Sequence, residues 1–414
     1  MEVLVAPSAV RLRLMLVLLS VQRARGGCWI TPDANGHVDV PMNITSIGDN
    51  AFDQCSTLVS ISMDGVTSIG YMAFRGCSSL AITHLPSGLT FIGYMAFSGC
   101  TSLALKSLPS VLTAIGNGAF SECSSLALTS IPSGVTSIGK HTFSDCSTLA
   151  LTSLPSRLTA IGGWAFLRCS SLALTSLPSR LTSIGEATFF GCSSLALTYL
   201  PSGVTSIGYM AFLDCSALAL KSLPSGVTSI GQSAFVGCSS LALKSLPSGV
   251  TCIEDRAFSD CTSLELTSLP SRLISIGDFS FSNCSSLALA SLPSGVVSIG
   301  ESAFNSCSSN GRLHVPHGCT IGSNAFSGTA GYETRWSRPL ASRHMRLMIP
   351  HAQSRDEVKA REPVLDDAES CTWEWLSSKA PRRPRNWAAI VLQLIRSCYR
   401  QVVYYGADTR LFHD

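Results

Sequence analysis

Apolar residues return along this chain in a fixed order every 23 residues, and small polar residues fill most of the positions between them. A short fixed period predicts a solenoid, because one unit is too small to bury its own apolar side and must stack on its neighbours. In the copy at residues 80–102, LAITHLPSGLTFIGYMAFSGCTS, the positions expected to face inward are Leu80, Ile82, Leu85, Leu89, Ile92, Phe97 and Cys100.

The pattern within this copy predicts three short elements. Leu80 to Leu85 is expected to form a strand, which ends at Pro86 because proline has no N–H donor for strand pairing. Ser and Gly then make a turn, and Leu89 to Ile92 starts a second short strand or extended segment. Tyr94 to Cys100 is expected to form a single helical or 3₁₀ turn that carries Phe97 inward.

One phenylalanine marks each coil, and its size predicts a spine through the array. The thirteen are Phe52, Phe74, Phe97, Phe120, Phe143, Phe166, Phe189, Phe212, Phe235, Phe258, Phe281, Phe304 and Phe326. The fold class that follows is a repeat solenoid of about 12–13 coils, with mainly short parallel strands and short helical or 3₁₀ turns. The predicted divisions are a signal peptide at 1–26, a cap and first coil at 27–57, the array at 58–331, and a basic, non-repeat tail at 332–414.

Cysteine follows the phenylalanine by three residues in twelve coils, from Cys55 to Cys307. A free cysteine behaves as a small buried hydrophobe, so the ladder is interpreted as buried free thiols. A metal site is not predicted, because the chain has no C-x-x-C and no histidine recurs with the ladder. If the protein is exported, Cys28 is a candidate to pair with Cys55, and Cys371 with Cys398.

The two ends of the chain differ from the array. Arg11 and Arg13 precede the apolar run 14–21, with small residues at 26 and 27, which is typical of a short secretory signal; an ordinary apolar stretch is the alternative. Residues 387–403 of the tail read as a disordered extension, a membrane-surface or partner-binding helix, or an unreliable gene-model end. No stretch reaches the ~20 apolar residues that span a bilayer, so no transmembrane span is predicted.

Composition narrows the classes of partner. The chain is 46% hydrophobic and 13% charged, with a formal net charge of +3. Residues 1–25 carry a net +3 and residues 332–414 a net +4, so residues 26–331 carry −4. A weakly acidic array is a poor binder of phosphate backbones, and nucleic-acid binding is not predicted.

The repeated unit resembles the BspA-like leucine-rich repeat. The shared pattern is L-x-x-x-x-[LI]-P-x-x-[VL]-T-x-I-G-x-x-[AT]-F-x-x-C-[ST], as at residues 126–147, and it recurs across residues 37–331. Most copies depart from the family's usual strand, L-x-x-I-x-I-P, and read L-A-L-T-S-L-P instead. Proteins with this repeat are cell-surface proteins of microbes that bind host or matrix proteins, and the resemblance implies the same role for this chain.

No catalytic constellation is predicted from the spacing of the residues. The histidines stand at unrelated places in the repeat, and the glycines belong to turns rather than to a phosphate-binding loop. We therefore expect no enzyme activity and no cofactor.

The positions that vary between copies are expected to be exposed. They are the pair after the glycine, the pair after the phenylalanine, and a site that alternates Gly with Arg. Neutral drift of a solvated surface explains this variation; a partner-binding face is the functional alternative, since Tyr, Trp and Arg are enriched at interfaces. The candidate partner-binding residues are Tyr71, Tyr94, Trp164, Tyr209, Arg157, Arg180 and Arg272.

The leading functional hypothesis is a secreted or cell-surface adhesion and recognition module that binds other proteins. Asn43 and Asn283 lie in glycosylation sequons, which agrees with export. An intracellular, cytoplasmic scaffold is the alternative, since free thiols suit a reducing compartment. A minor alternative is an ice-binding protein, because threonines from Thr67 to Thr251 form a regular ladder; β-propensity explains the same ladder.

Overall fold

The computed structural model describes residues 27–309 and 311–335, which all fall within one compact unit, Met1–Ala341. The predictions about the signal peptide, the tail beyond residue 335, and the Cys371–Cys398 pair lie outside the described residues. Within them the chain winds as a parallel β-solenoid of about thirteen stacked coils, which confirms the predicted fold class.

Short strands carry the array, one in most coils, with longer strands at its two ends. They are β1 His37–Asp39, β2 Ser46–Ile47, β3 Ser60–Ser62, β4 Ser68–Ile69, β5 Phe91–Ile92, β6 Ala114–Ile115, β7 Ser137–Ile138, β8 Ala160–Ile161, β9 Ser183–Ile184, β10 Ser206–Ile207, β11 Ser229–Ile230, β12 Cys252–Ile253, β13 Ser275–Ile276, β14 Ser298–Ile299, β15 Leu313–Pro316, β16 Thr320–Ile321 and β17 Tyr332–Arg335.

Every strand pairs in parallel with the equivalent strand of a neighbouring coil, and the pairing is interrupted between β6 and β7, between β8 and β9, and between β11 and β12. The ladders run β2-β4-β5-β6, β7-β8, β9-β10-β11 and β12-β13-β14-β16, with separate pairs β1-β3 and β15-β17 at the ends. The register repeats the period, since Ser206 lies opposite Ser229 and Ile207 opposite Ile230. The isoleucine of each two-residue strand points inward, and the residue before it points towards solvent in most coils.

The predicted strand at Leu80 to Leu85 is wrong. The two-residue strand β5 lies instead at Phe91–Ile92, within the second predicted segment. Residues 83 and 84 are both exposed, so the period-two alternation of a half-buried strand breaks there. The equivalent segment forms strands only near the ends of the array, as in β1, β3 and β15, where the sequence alternates regularly.

The segment from Tyr94 to Cys100 forms consecutive turns rather than the predicted helical or 3₁₀ turn. Met95 has φ 50° and Gly99 has φ 75°, and residues in the left-handed region interrupt a right-handed helix. The backbone bonds alternate accordingly: Ser98 N–H donates to Met95 within the coil, at 3.1 Å, and Phe97 N–H donates to Ala119 of the next coil, at 2.8 Å. The turns are therefore held as much by stacking as by local bonds.

The predicted phenylalanine spine is confirmed. All but the last ring, Phe326, are fully buried, and each stacks on its neighbour with centroids 5.1–5.7 Å apart. The ends are covered by other aromatic rings. Trp29 meets Phe52 edge-on at 6.1 Å, and Tyr332 lies 4.7 Å from Phe326.

The cysteine ladder is confirmed as buried free thiols from Cys77 to Cys307. Its first predicted member is an exception, because Cys55 forms a disulfide with Cys28, with their Cα atoms 5.1 Å apart. This disulfide ties the cap to the first coil, as the sequence suggested for an exported protein.

Candidate recognition surface

Each coil presents two polar edges on either side of its short strand. We call residues from the glycine after the strand to the residue before the ladder cysteine, such as 93–99, the turn edge. We call residues from the ladder leucine to the Ser-Gly or Ser-Arg turn, such as 103–111, the proline edge. The predicted partner-binding residues divide between these two edges, so they do not form one surface.

The tyrosine and tryptophan candidates lie on the turn edge. Tyr71 and Tyr94, in adjacent coils, stack with centroids 5.2 Å apart and are 44% and 42% exposed. Burial and the neighbouring Tyr94 raise the pKa of Tyr71 above its usual value. This pair forms an aromatic ledge near the first coils of the array.

Trp164 and Tyr209 lie further along the same edge, two coils apart. Trp164 is half-buried and stacks on His141 at 5.9 Å, and burial lowers the pKa of that histidine. Tyr209 is exposed, and partial burial followed by the nearby Glu186 raises its pKa. The larger part of the Trp164 ring is thus committed to packing, whereas Tyr209 is presented to solvent.

The arginine candidates lie on the proline edge. Arg157, Arg180 and Arg272 are exposed and occupy the position that is glycine in most copies. Arg157 and Arg180 are in adjacent coils, while Arg272 is four coils further on. The structure therefore separates the arginines from the aromatic residues.

Charge follows the same division. Between residues 49 and 307 the proline edge and the rest of each coil carry six basic side chains and two acidic ones, Asp64 and Glu265. The turn edge carries eleven acidic and four basic side chains. The acidic ones are Asp49, Asp53, Glu122, Asp145, Glu186, Asp214, Glu254, Asp255, Asp260, Asp278 and Glu301; the basic ones are Arg75, Lys140, Arg168 and Arg256.

The prediction that both residues after the phenylalanine are exposed is half wrong. The second of the pair is exposed at Glu122, Arg168 and Asp214, but the first is buried at Ser121 and Leu167. The turn points the first side chain along the stack, where the neighbouring coils cover it. Variation at this position thus reflects packing between coils as well as contact with solvent.

In the middle of the array this position is apolar over four consecutive coils, at Leu167, Phe190, Leu213 and Val236. Only Leu167 is fully buried, so the other three add half-buried apolar surface beside Tyr209. We define the central turn patch as Trp164, Glu186, Phe190, Tyr209, Leu213 and Asp214. It combines apolar and aromatic side chains with a charged rim, as protein interfaces do.

The pairing of β1 with β3 creates a cluster that the sequence analysis missed. His37 Nδ1 lies 2.7 Å from Ser60 Oγ, and His37 Nε2 lies 3.1 Å from Asp39 Oδ1. The signal that could have found it is the 23-residue period, which places His37 opposite Ser60 and Asp39 opposite Ser62. The Asp39 carboxylate is 81% exposed, and the hydrogen bond from His37 lowers its pKa. The cluster lies on an open strand surface and ties the first two coils together.

The two sequon asparagines differ in their surroundings. Asn43 is exposed on the loop before β2. Asn283 has φ 61°, and its Nδ2 donates to Asp260 Oδ1 at 2.8 Å, next to the fully buried Cys284. Of the two side chains, only that of Asn43 stands clear of such a contact.

The remaining polar ladders are used within the array. Thr90 Oγ1 donates to the Thr67 carbonyl at 3.1 Å, and the same bond recurs at Thr113, Thr159 and Thr205. Cys192 Sγ donates to the Phe166 carbonyl at 3.1 Å, as every ladder thiol from Cys77 to Cys307 does to its own phenylalanine partner. Among the described residues no His, Cys, Asp and Glu side chains converge in a group that would hold a metal ion.

The model of the BspA type leucine-rich repeat region matches residues 35–150, 113–242 and 228–334, well over half of the chain. The chain belongs to the BspA type leucine-rich repeat family. The resemblance that the recurring I-G-x-x-A-F-x-x-C indicated is thus confirmed.

Two solved structures show the same architecture. A leucine-rich repeat protein from Bacteroides ovatus is 28% identical, with a TM-score of 0.56 over 70% of this chain and 84% of that one. A leucine-rich cell surface protein from Faecalibacterium prausnitzii is 28% identical, with a TM-score of 0.51 over 73% of this chain and 88% of that one. No curated protein matches the chain significantly. The described part of the chain contains no helix of the length and apolarity that crossing a membrane requires.

Proposed function

We propose that this protein is a non-enzymatic recognition module, secreted or displayed at the cell surface, that binds another protein through its turn edge. The observation that carries the proposal is the segregation of side chains in a leucine-rich-repeat array. Exposed aromatic residues and most of the acidic side chains of the array lie together on one edge, and the stacking of coils holds that edge in place. Rigid aromatic anchors with a polar rim are what binding hot spots require.

Export is supported by the disulfide between Cys28 and Cys55, because such bonds persist in oxidising compartments. The exposed sequon at Asn43 and the cell-surface protein from Faecalibacterium prausnitzii agree with it. The free thiols suggested an intracellular scaffold, but their burial weakens that argument. They are fully buried, so an oxidising medium reaches them as little as a reducing one does.

Site-specific photo-crosslinking tests recognition by the turn edge. A photoreactive phenylalanine analogue would replace Tyr209 in the full chain, expressed in its native cells. Tyr199, which is 58% exposed on the proline edge of the same coil, is the matched control. The proposal predicts a discrete protein adduct from position 209 and none from position 199. It fails if position 209 yields no protein adduct, or if both positions yield the same one.

A further inference from the structure

The turn edge already holds guanidinium groups in three places. Arg75 makes two 2.8 Å hydrogen bonds to the Asp53 carboxylate of the preceding coil. The Arg256 guanidinium lies 5.1 Å from the centre of the Phe279 ring in the next coil. A cation over an aromatic face is attracted by the ring quadrupole, and an arginine–carboxylate fork adds directed hydrogen bonds. Both geometries thus occur on this edge between neighbouring coils.

A third arginine marks the border of the central turn patch. The Arg168 guanidinium lies 6.0 Å from the centre of the Phe190 ring and 3.5 Å from Asp145. It therefore uses an aromatic ring and a carboxylate together. Three of the four basic side chains on the turn edge thus contact an aromatic ring, a carboxylate or both. The turn edge therefore binds guanidinium groups by cation–π contacts and by ion pairs.

The turn edge of the next two coils offers the same groups with no arginine of its own. Glu186 and Asp214 have no ion-pair partner among the described residues, and Tyr209 and Leu213 lie in the same coil as Asp214. Partial burial, then the nearby Asp260, raises the pKa of Asp214. A carboxylate that has lost part of its hydration gains from a cation brought in by a partner, because a nearby opposite charge favours its ionised form.

We infer that the central turn patch binds an arginine-rich segment of a partner protein, with guanidinium groups stacked on Tyr209 and paired with Glu186 and Asp214. This inference rests on the proposed function and names the chemistry of its partner. Eleven acidic against four basic side chains along the turn edge attract such a segment over a longer range. The arginines of the proline edge point to a different occupant there, so the two edges are not interchangeable.

Calorimetric titration of the full chain with a peptide of alternating arginine and glycine tests the inference directly. Peptides with lysine, citrulline or glutamate in place of arginine serve as comparisons. The arginine peptide is expected to bind most tightly, lysine less, and citrulline and glutamate not measurably. Added salt should weaken the arginine complex because partly exposed charges are screened. Equal binding of arginine and citrulline peptides would overturn the inference.

Variants locate the site. Glu186→Gln combined with Asp214→Asn should weaken arginine-peptide binding about tenfold, and Tyr209→Ala about threefold to tenfold. Asparagine tolerates the φ of 58° at position 214, so the fold is kept. The matched controls are Asp64→Asn combined with Glu265→Gln, with the same change in net charge, and Tyr199→Ala. Each control should bind within about twofold of the wild type; equal losses in patch and control variants would mean diffuse attraction and no site.

The crosslinking experiment separates this inference from the proposed function. If position 209 captures a protein and excess arginine peptide does not compete, recognition by the turn edge stands and the arginine chemistry is wrong. If the peptide binds at the patch but position 209 captures no protein, the chemistry stands and the proposed function is wrong. Competition in the first experiment supports both.

Discussion

The ladder thiols act as hydrogen-bond donors as well as core side chains. Each thiol from Cys77 to Cys307 donates to the carbonyl of a phenylalanine in the preceding coil, at 3.0–3.1 Å. That carbonyl also accepts a backbone N–H within its own coil, so both of its lone pairs are used. The sequence predicted burial at these positions, but only the stacked geometry reveals the partner.

This burial makes the protein sensitive to alkaline pH. Burial raises the pKa of ten of these thiols, in the case of Cys307 to about 12. A thiol ionises at a lower pH in the unfolded chain than in the folded one. Burial of the thiols therefore stabilises the fold fully below about pH 8.5, and this stabilisation is lost as the pH rises towards 12. In that range the free energy of unfolding should fall by about 1.4 kcal/mol per pH unit for each ladder thiol that unfolding exposes to solvent.

Urea unfolding of the full chain at pH 8 and pH 10 would show this loss as a lower midpoint at the higher pH. Cys192→Ser removes one titrating group, so its midpoint should depend less on pH than that of the wild type. A midpoint that is unchanged between the two pH values would contradict the buried protonated ladder.

A single hydroxyl in the core provides a second test at this scale. Thr142 and Thr188 both occupy the position that is alanine in most coils, and both are fully buried. Thr142 Oγ1 donates to the Gly139 carbonyl at 3.0 Å, whereas Thr188 Oγ1 has no partner among the described residues. Thr188→Val should stabilise the array by about 1–3 kcal/mol, and Thr142→Val should cost about 0.5–1.5 kcal/mol. Urea midpoints that shift in the same direction would argue against this difference.

At the scale of the element, the turn edge depends on two left-handed residues in every coil. They are the second residue after the glycine and the residue before the ladder cysteine, as at Met95 and Gly99. The residue before the ladder cysteine is Gly, Asp or Asn in nine of the thirteen coils, types that tolerate positive φ with little strain, whereas the other position also holds Met, Trp and Phe. The sequence showed this variation but did not show that backbone conformation limits it.

Two glycines of one coil allow the cost of a positive φ to be measured without crowding, because both positions have room for a Cβ atom. Gly99 has φ 75°, and a Cβ there would meet its nearest atom at 3.5 Å, so Gly99→Ala should cost about 1–2 kcal/mol through φ alone. Gly88 has no positive φ, and its Cβ would meet Thr67 at 3.9 Å. Gly88→Ala should be neutral or stabilise by about 0.4–1 kcal/mol. Thermal unfolding of the two variants would decide, and equal destabilisation would contradict the assignment.

The strands show where sequence reasoning succeeds and where it stops. The T-x-I segment alternates, so its position was predictable, and β5 lies within the predicted range. The L-A-L-T-S-L-P segment buries Leu105 and Leu108 but exposes Lys106 and Ser107 between them. No period of two fits that spacing, and the choice between strand and irregular backbone depends on contacts with the neighbouring coils.

At the scale of the whole molecule, stability is a sum over stacked neighbours. Phe189 is fully buried between two rings at 5.6 and 5.5 Å, whereas Phe326 at the end of the array is half-buried. Phe189→Ala should cost about 3–5 kcal/mol, and Phe326→Ala should cost less because the Phe326 ring is already partly exposed to solvent. Chemical denaturation of both variants tests the spine; an equal cost would contradict it.

The sequence suggested candidate residues for a recognition surface but not how they are arranged. The aromatic candidates Tyr71, Tyr94, Trp164 and Tyr209 all lie on one edge, as a common repeat position suggested for three of them. In each coil the short strand lies between the proline edge, which carries Arg157, Arg180 and Arg272, and the turn edge. The arginines are therefore separated from the aromatic candidates. The proposed binding at the central turn patch also depends on Phe190 and Leu213. The partial burial of these two side chains results from the stacking of coils and could not be predicted from the sequence.

Peptide mapping of the protein from its native source, with thiols alkylated before and after unfolding, tests the account most directly. An exported recognition solenoid predicts a chain that starts near Gly27, a glycan at Asn43, and an intact Cys28–Cys55 disulfide. It also predicts that the thiols from Cys77 to Cys307 react only after unfolding. An intact Met1, a bare Asn43 and a Cys28 thiol that reacts in the native protein would contradict export and favour an intracellular scaffold.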